Sequence, residues 1–394
     1  MKIDLVFEGG GAKGIVFAGA METFLGRGYS FGRLLGTSAG AISATFLAAG
    51  YSVAEIVAAL GETDADGRHV FADFMGQPQP FTPQEIADSG LKGLLLETRA
   101  PGWIKKWFTA RLMTSPRLQN LFAFVERGGW YSADAFVAWL RRRLDTPSAD
   151  GQQRGYSRMT LKQFYAATQV DLSLVAADTT EHQLLVLNHR TAPDCPLVYA
   201  VRMSMSVPLL WEEVRWQKAW GLYRQKDITD HAIVDGGLLS NFPLELFVSD
   251  APQVTAVMGH KTADHVLGLL IDESLPVPDA PERPGAGQST VFASLGRLKT
   301  VSRLSALVDT VTQARDKSIM DAFAHLVVRL PAAGYATTEF DMTPERRVAL
   351  MTAGKRTMAA FLDNPPAPRL GGFFESSGMT DQIADRVALA ILGE

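Results

Sequence analysis

Apolar runs broken by glycine clusters set the rhythm of the first fifty residues. Residues 3–7 (Ile3-Asp4-Leu5-Val6-Phe7) read as a buried strand that stops at Gly9-Gly10-Gly11. Ile15, Ala18, Met21 and Phe24 fall along one helical face and predict a helix over 13–26, closed by Gly26 and Gly28. Leu34 and Leu35 predict a short second strand, and residues 39–49 a second helix. This β-α-β-α opening points to an α/β fold, a sheet flanked by helices.

The rhythm breaks over about 60–165, where aromatics and cations abound and Pro78, Pro80, Pro83 and Pro101 punctuate several helical pieces. That stretch reads as an insertion or lid. Strands resume at 172–177, 183–187 and 232–234, the last running straight into Asp235-Gly236-Gly237. Six Pro and Gly residues make 275–288 an irregular loop. A helical stretch over about 289–325, a strand at 326–330 and a helical region after Thr343-Pro344-Glu345 follow.

Composition narrows the class. With 394 residues, 47% hydrophobic and 20% charged, the chain can bury a large core, as one unit or as several domains. A net charge of −4 supplies no basic field for nucleic acid. Cys195 is the single cysteine, which excludes an internal disulfide framework, fits a reducing compartment and reads as a buried, inert thiol. The N-terminus carries no secretory pattern, and no apolar run reaches the ~18 residues of a membrane helix. A cytoplasmic protein with at most peripheral membrane contact is expected.

Gly36-Thr37-Ser38-Ala39-Gly40 carries the first chemistry. A serine on a sharp strand-to-helix turn needs flanking glycines because backbone packs on both sides of it. Such a turn exposes the Ser38 hydroxyl and sets the Ala39 amide at a helix N-terminus, where negative charge is favoured. The pentapeptide alone also fits a turn that merely lets a helix pack.

Gly9-x-Gly11-x-x-Gly14 matches the dinucleotide fingerprint, yet no carboxylate ends the second strand where one, roughly 20 positions on, would hold a ribose. A phosphate loop fails too, because Gly14 rather than Ser or Thr follows Lys13. The remaining readings are a tight turn without a ligand, or inward-facing amides that form an oxyanion hole beside the Lys13 charge.

Ser38 then needs a base. His69, His182, His189, His231, His260, His265 and His325 show no local signature. His231 precedes Asp235 by four residues, roughly 13 Å on an extended strand, so it reads as a rim or core histidine. Asp235, at a strand end and followed by two glycines, can approach the serine turn closely and take the hydroxyl proton directly. In isolation it would equally cap a Gly-Gly turn.

These three motifs, in this order, resemble the patatin-like phospholipase family. Ser204-Met205-Ser206-Val207-Pro208 is similar to the family's Ser/Ala-rich segment ending in proline. Asn241-Phe242-Pro243 is similar to its Asn-x-Pro, and Phe340-Asp341 and the helix with Gly354 to the C-terminal region of bacterial members. About 60–165 and 211–230 fall outside the resemblance. It implies a three-layer α/β/α fold with a mostly parallel sheet and a helical lid, built as one catalytic domain over 1–394. Residues 289–394 would be its C-terminal helical region.

The resemblance further implies Ser38 as nucleophile and Asp235 as its base, with Gly10, Gly11 and Ala39 giving oxyanion amides. Gly9, Lys13, Gly14, Gly36, Gly40, Gly236 and Gly237 would frame the motifs, and no metal or cofactor is called for. Glu8 stands where an aspartate is common, and Lys13 where an arginine is frequent, which leaves the role of Lys13 open. The implied substrate is a phospholipid or lysophospholipid; neutral lipids and simple esters stay open.

Trp103, Ile104, Trp107, Phe108 and Leu112 would share one side of a helix, with Lys105 and Lys106 off it, as an interfacial helix or as a lid packed on the body. Trp211, Trp216 and Trp220, with Arg215 and Lys218, pose the same choice and favour packing. Two further readings stand beside the hydrolase: a toxin or defence phospholipase switched on by a host factor or nucleotide, and a lipid-binding regulator without turnover.

Overall fold

A computed structural model describes residues 1–65, 69–74, 76–90, 115–263, 265–282, 323–337, 339–364 and 378–393. The order opens with β1 (Lys2–Phe7), a 3-10 turn (Gly11–Gly14), α1 (Ile15–Gly26), β2 (Ser30–Thr37) and α2 (Ala39–Ala48). The predicted β-α-β-α start is present, with β2 longer than Leu34-Leu35. Helices α3 (Val53–Leu60), α4 (Val70–Asp73), α5 (Pro83–Asp88) and α6 (Pro116–Glu126) follow. Capping boxes start α3 at Ser52/Glu55 and α5 at Thr82/Glu85, where each side chain satisfies the other's free amide.

Next come β3 (Gly129–Tyr131), α7 (Asp134–Asp145), α8 (Leu161–Thr168), β4 (Leu172–Asp178), β5 (Gln183–Leu187) and α9 (Leu197–Ser204). The chain continues through β6 (Leu209–Trp211), β7 (Val214–Arg215), β8 (Ala232–Asp235), α10 (Glu245–Val248), α11 (Pro252–Met258) and β9 (His265–Pro276). It closes with β10 (Val327–Ala333), α12 (Pro344–Asp363) and α13 (Gly378–Leu392). The irregular loop expected from 275 starts after Pro276, where β9 ends. The helix expected over about 289–325 falls mostly outside the described residues.

The main sheet runs β10-β9-β1-β2-β4-β8-β7, with β5 also on β4. Pairs β10/β9, β9/β1, β1/β2 and β2/β4 are parallel, whereas β4/β5, β4/β8 and β7/β8 are antiparallel. The sheet is therefore mixed and mostly parallel. Helices α1, α3 and α12 pack together beside β10, and α10, α11 and α13 form a second group.

The register around β4 positions the site. Leu174–Asp178 pair with β5 along one edge of β4. The other edge holds β2, whose last pair is Thr37 with Val175, and then β8, whose Asp235 pairs with Ala176. Thus β2 and β8 approach head-on along the same edge and stop at successive β4 residues. The sequence placed Asp235 at a strand end without saying which way that strand runs. Strand β8 runs antiparallel to β4, so Asp235 and Ser38 lie where two opposed strands end at one point.

The insertion is anchored by aromatics. Trp139 of α7 packs on Phe46, Phe71, Phe74 and Phe136, and its indole nitrogen donates to Glu62 at 2.9 Å. Strand β3 pairs in parallel with β6, a small second sheet that the helical reading of 60–165 did not include. Trp211, Trp216 and Trp220 are all buried, as packing requires. Cys195 is buried as well, and burial pushes its thiol pKa up, which disfavours the reactive thiolate.

Candidate active site

Ser38 sits between β2 and α2 at φ 53°, ψ −119°, a backbone region that residues with a Cβ rarely adopt. A Cβ on Gly36 would strike the Gly40 carbonyl, and one on Gly40 the carbonyls of Phe7 and Glu8. The two glycines let α2 start hard against the ends of β1 and β2. The Ser38 amide donates to Ser204 Oγ at 3.1 Å, and its side chain shares one cavity with the Asp235 carboxylate.

Asp235 is held from two sides. Its Oδ1 accepts the Gly237 amide at 2.8 Å, and its own amide donates to Ser206 O at 2.9 Å. Gly236 follows without a side chain because Val175 O lies where a Cβ would be. Burial pushes the Asp235 pKa up to about 7, even though the Gly237 amide and the Ser38 side chain pull it down. Near neutral pH this carboxylate is poised both to accept and to give a proton.

The glycine loop lies over the serine. A Cβ built on Gly9 would stand 3.1 Å from Ser38 Cβ. Gly9 donates to Asn241 O at 3.2 Å, and the Asn241 side chain donates back to Gly9 O at 2.9 Å and to Glu8 at 3.2 Å. Glu8 also accepts the Ile271 amide, so its longer carboxylate spans from Asn241 to β9. The amides of Gly10 and Gly11 take no partner among the described residues. Gly11 adopts φ +56°, and Gly14 packs on Ala39 at the start of α2.

Lys13, whose role the sequence leaves open, has an ionic partner. It is buried and ion-paired with Glu273, which is largely exposed. Its charge is thus largely cancelled where the sequence reading set it beside the oxyanion loop.

Ser38, Asp235 and the glycine loop open into one cavity of about 840 Å³. Phe71, Phe74, Phe136, Trp211 and Phe340 give it an aromatic wall, while Asp272, Glu273 and Arg329 give it a charged margin. No histidine is among its lining residues. His231 bonds Asp178 at 2.8 Å, His189 stacks on Tyr165 and His69 meets Arg347, so these three serve elsewhere. Among the described residues no group of three His, Cys, Asp or Glu could hold a metal ion. Trp103, Trp107 and Phe108 lie outside the described residues.

A family model for patatin-like phospholipases matches residues 5–248, which span every element above from β1 to α10. The chain belongs to the patatin-like phospholipase family. Membership places it among lipid hydrolases. A relative in Bacillus subtilis strain 168, the uncharacterized protein YqhO, is 28% identical over 369 residues, covering 92% of this chain and 98% of its own. Similar solved structures include VipD from Legionella pneumophila, 19% identical with a TM-score of 0.44 over 92% of this chain and 66% of that one. The ExoU–SpcU complex from Pseudomonas aeruginosa is 16% identical with a TM-score of 0.34, over 92% of this chain and 51% of that one. The chain thus spans about two-thirds of VipD and half of the ExoU structure. The family assignment rests on the match over 5–248.

The sequence motifs included Ser204 and Asn241 but gave them no role, and the aromatic wall was missed. The signal for Ser204 was a Ser-x-Ser ahead of the aspartate. The wall had none, because its rings come from four separated segments. No helix among the described residues is long and apolar enough to cross a membrane.

Proposed function

We propose that this protein is a lipid acyl hydrolase of phospholipase A or lysophospholipase type, using a serine–aspartate dyad. The observation that carries this reading is that Ser38 and buried Asp235 line one aromatic-walled cavity together with the glycine loop. Ionised Asp235 takes the hydroxyl proton as Ser38 Oγ attacks the ester carbonyl. The tetrahedral oxyanion faces the amides of Gly10, Gly11 and Ala39, which are oriented before the reaction begins. Collapse expels the alcohol, protonated by Asp235, and leaves an acyl-Ser38 ester. Water, deprotonated by the same carboxylate, then attacks the acyl carbon, and Asp235 returns that proton to Ser38 Oγ as the acyl–Oγ bond breaks and the fatty acid leaves.

The aromatic wall suits an acyl chain, which gains about 0.8 kcal/mol per buried methylene. The substrate assigned is a glycerophospholipid or lysophospholipid. Residues 1–394 act as one catalytic unit, with about 60–165 as its lid. Trp103, Trp107 and Phe108 supply transient contact with a membrane surface. Incubating a membrane lipid extract with wild type and Ser38→Ala tests the substrate class. Fatty acids and lysolipids should accumulate with wild type alone; identical lipid profiles would rule out the assignment.

A further inference from the structure

One short segment holds the backbones of both dyad residues. At the C-terminal end of α9, Ser204 Oγ accepts the Ser38 amide at 3.1 Å, and two residues later Ser206 O accepts the Asp235 amide at 2.9 Å. Ser206 is itself fixed, since its hydroxyl donates to Arg202 O at 2.5 Å and accepts from the buried Arg202 guanidinium. Ser204 is fully buried. The two amides belong to strands that meet end to end, so neither can find its partner by continuing a ladder.

We propose that Ser204 is the positioning residue of the nucleophile. This rests on the reading of Ser38 as nucleophile. A non-glycine residue at φ 53° persists only where its surroundings over-determine it. Ser38 is buried, so without an acceptor its amide would be orphaned, and relaxation of the turn would satisfy it. That relaxation would swing Oγ away from Asp235 and the Ala39 amide out of the oxyanion pocket. Ser204 Oγ removes the incentive to relax. The carbonyl at Ser206 sets the height of Asp235 from the same segment, so α9 fixes the spacing of the pair.

The test compares Ser204→Ala, Ser204→Thr and Ser204→Cys with wild type. Ser204→Ala should react with a fluorophosphonate on the order of tenfold more slowly, and lose kcat on a soluble short-chain ester with little change in KM. Ser204→Thr keeps the oxygen and should recover most of the rate. Ser204→Cys, a weaker acceptor of similar size, should fall between and serves where the added methyl prevents folding. Amide exchange at Ser38 should be faster in Ser204→Ala than in wild type, whether or not the ester turns over. A folded Ser204→Ala with wild-type labelling and unchanged Ser38 exchange would overturn the proposal. So would a folded Ser204→Thr as slow as the alanine variant. Wild type that never labels, with Ser38 exchange still dependent on Ser204, would instead refute the nucleophile and leave the hold intact.

Discussion

The side-chain amide of Asn241 donates to the Glu8 carboxylate at 3.2 Å, joining the segment after the aspartate to the residue that opens the glycine loop. The same nitrogen donates to Gly9 O at 2.9 Å. One side chain therefore sets the height of the loop over Ser38. Asn241→Ala removes both side-chain donations beside the loop, each worth about 0.5–1.5 kcal/mol. Ester hydrolysis should fall about tenfold with the fold retained, as read by kcat and by the thermal midpoint together. Unchanged kcat would show that the loop holds itself.

The aspartate dictates the pH dependence. With its pKa near 7, Asp235 is protonated in mild acid and cannot take the serine proton, so kcat/KM should rise with pH and level off above about 7. Stability runs the other way. The native pKa lies above the ordinary 3.8, so the native state binds more protons across that window. The contribution is full below about 4 and lost as pH rises through about 7. Asp235→Asn escapes this loss and should gain stability over wild type on going from pH 5 to pH 8, by a few kcal/mol at most. Thermal melts across that range would check it; a constant difference would place the Asp235 pKa near its ordinary value.

The proposed membrane contact predicts a defect separable from chemistry. Replacing Trp103 and Trp107 with Ala should weaken sedimentation with anionic phospholipid vesicles about tenfold and leave soluble-ester hydrolysis within about twofold. Equal losses in both assays would assign the two rings to packing.

Much of the site was legible because it is local. Gly36 to Gly40 and Gly9 to Gly14 each encode a turn that only glycine-bearing backbone can make, and Asp235-Gly236-Gly237 encodes a strand end. What brings the serine and aspartate together was not legible. It depends on β4 having β2 and β8 on one edge, with Val175 and Ala176 as successive partners, and on β8 running antiparallel. Pairing of Thr37 with Val175, and of Asp235 with Ala176, leaves no trace in local periodicity. Lys13 shows the same limit, since its partner Glu273 lies far along the chain on β9. Glu8 looked like a departure from the family, yet its one carboxylate serves both Asn241 and Ile271.

Turnover of a fluorogenic acyl ester by Ser38→Ala, Asp235→Asn and His231→Ala tests the dyad most directly. Ser38→Ala and Asp235→Asn should each lose about 10³-fold or more while folding normally, and His231→Ala should stay within about twofold of wild type. Near-normal turnover by Ser38→Ala or Asp235→Asn, or loss of activity in a folded His231→Ala, would contradict the account.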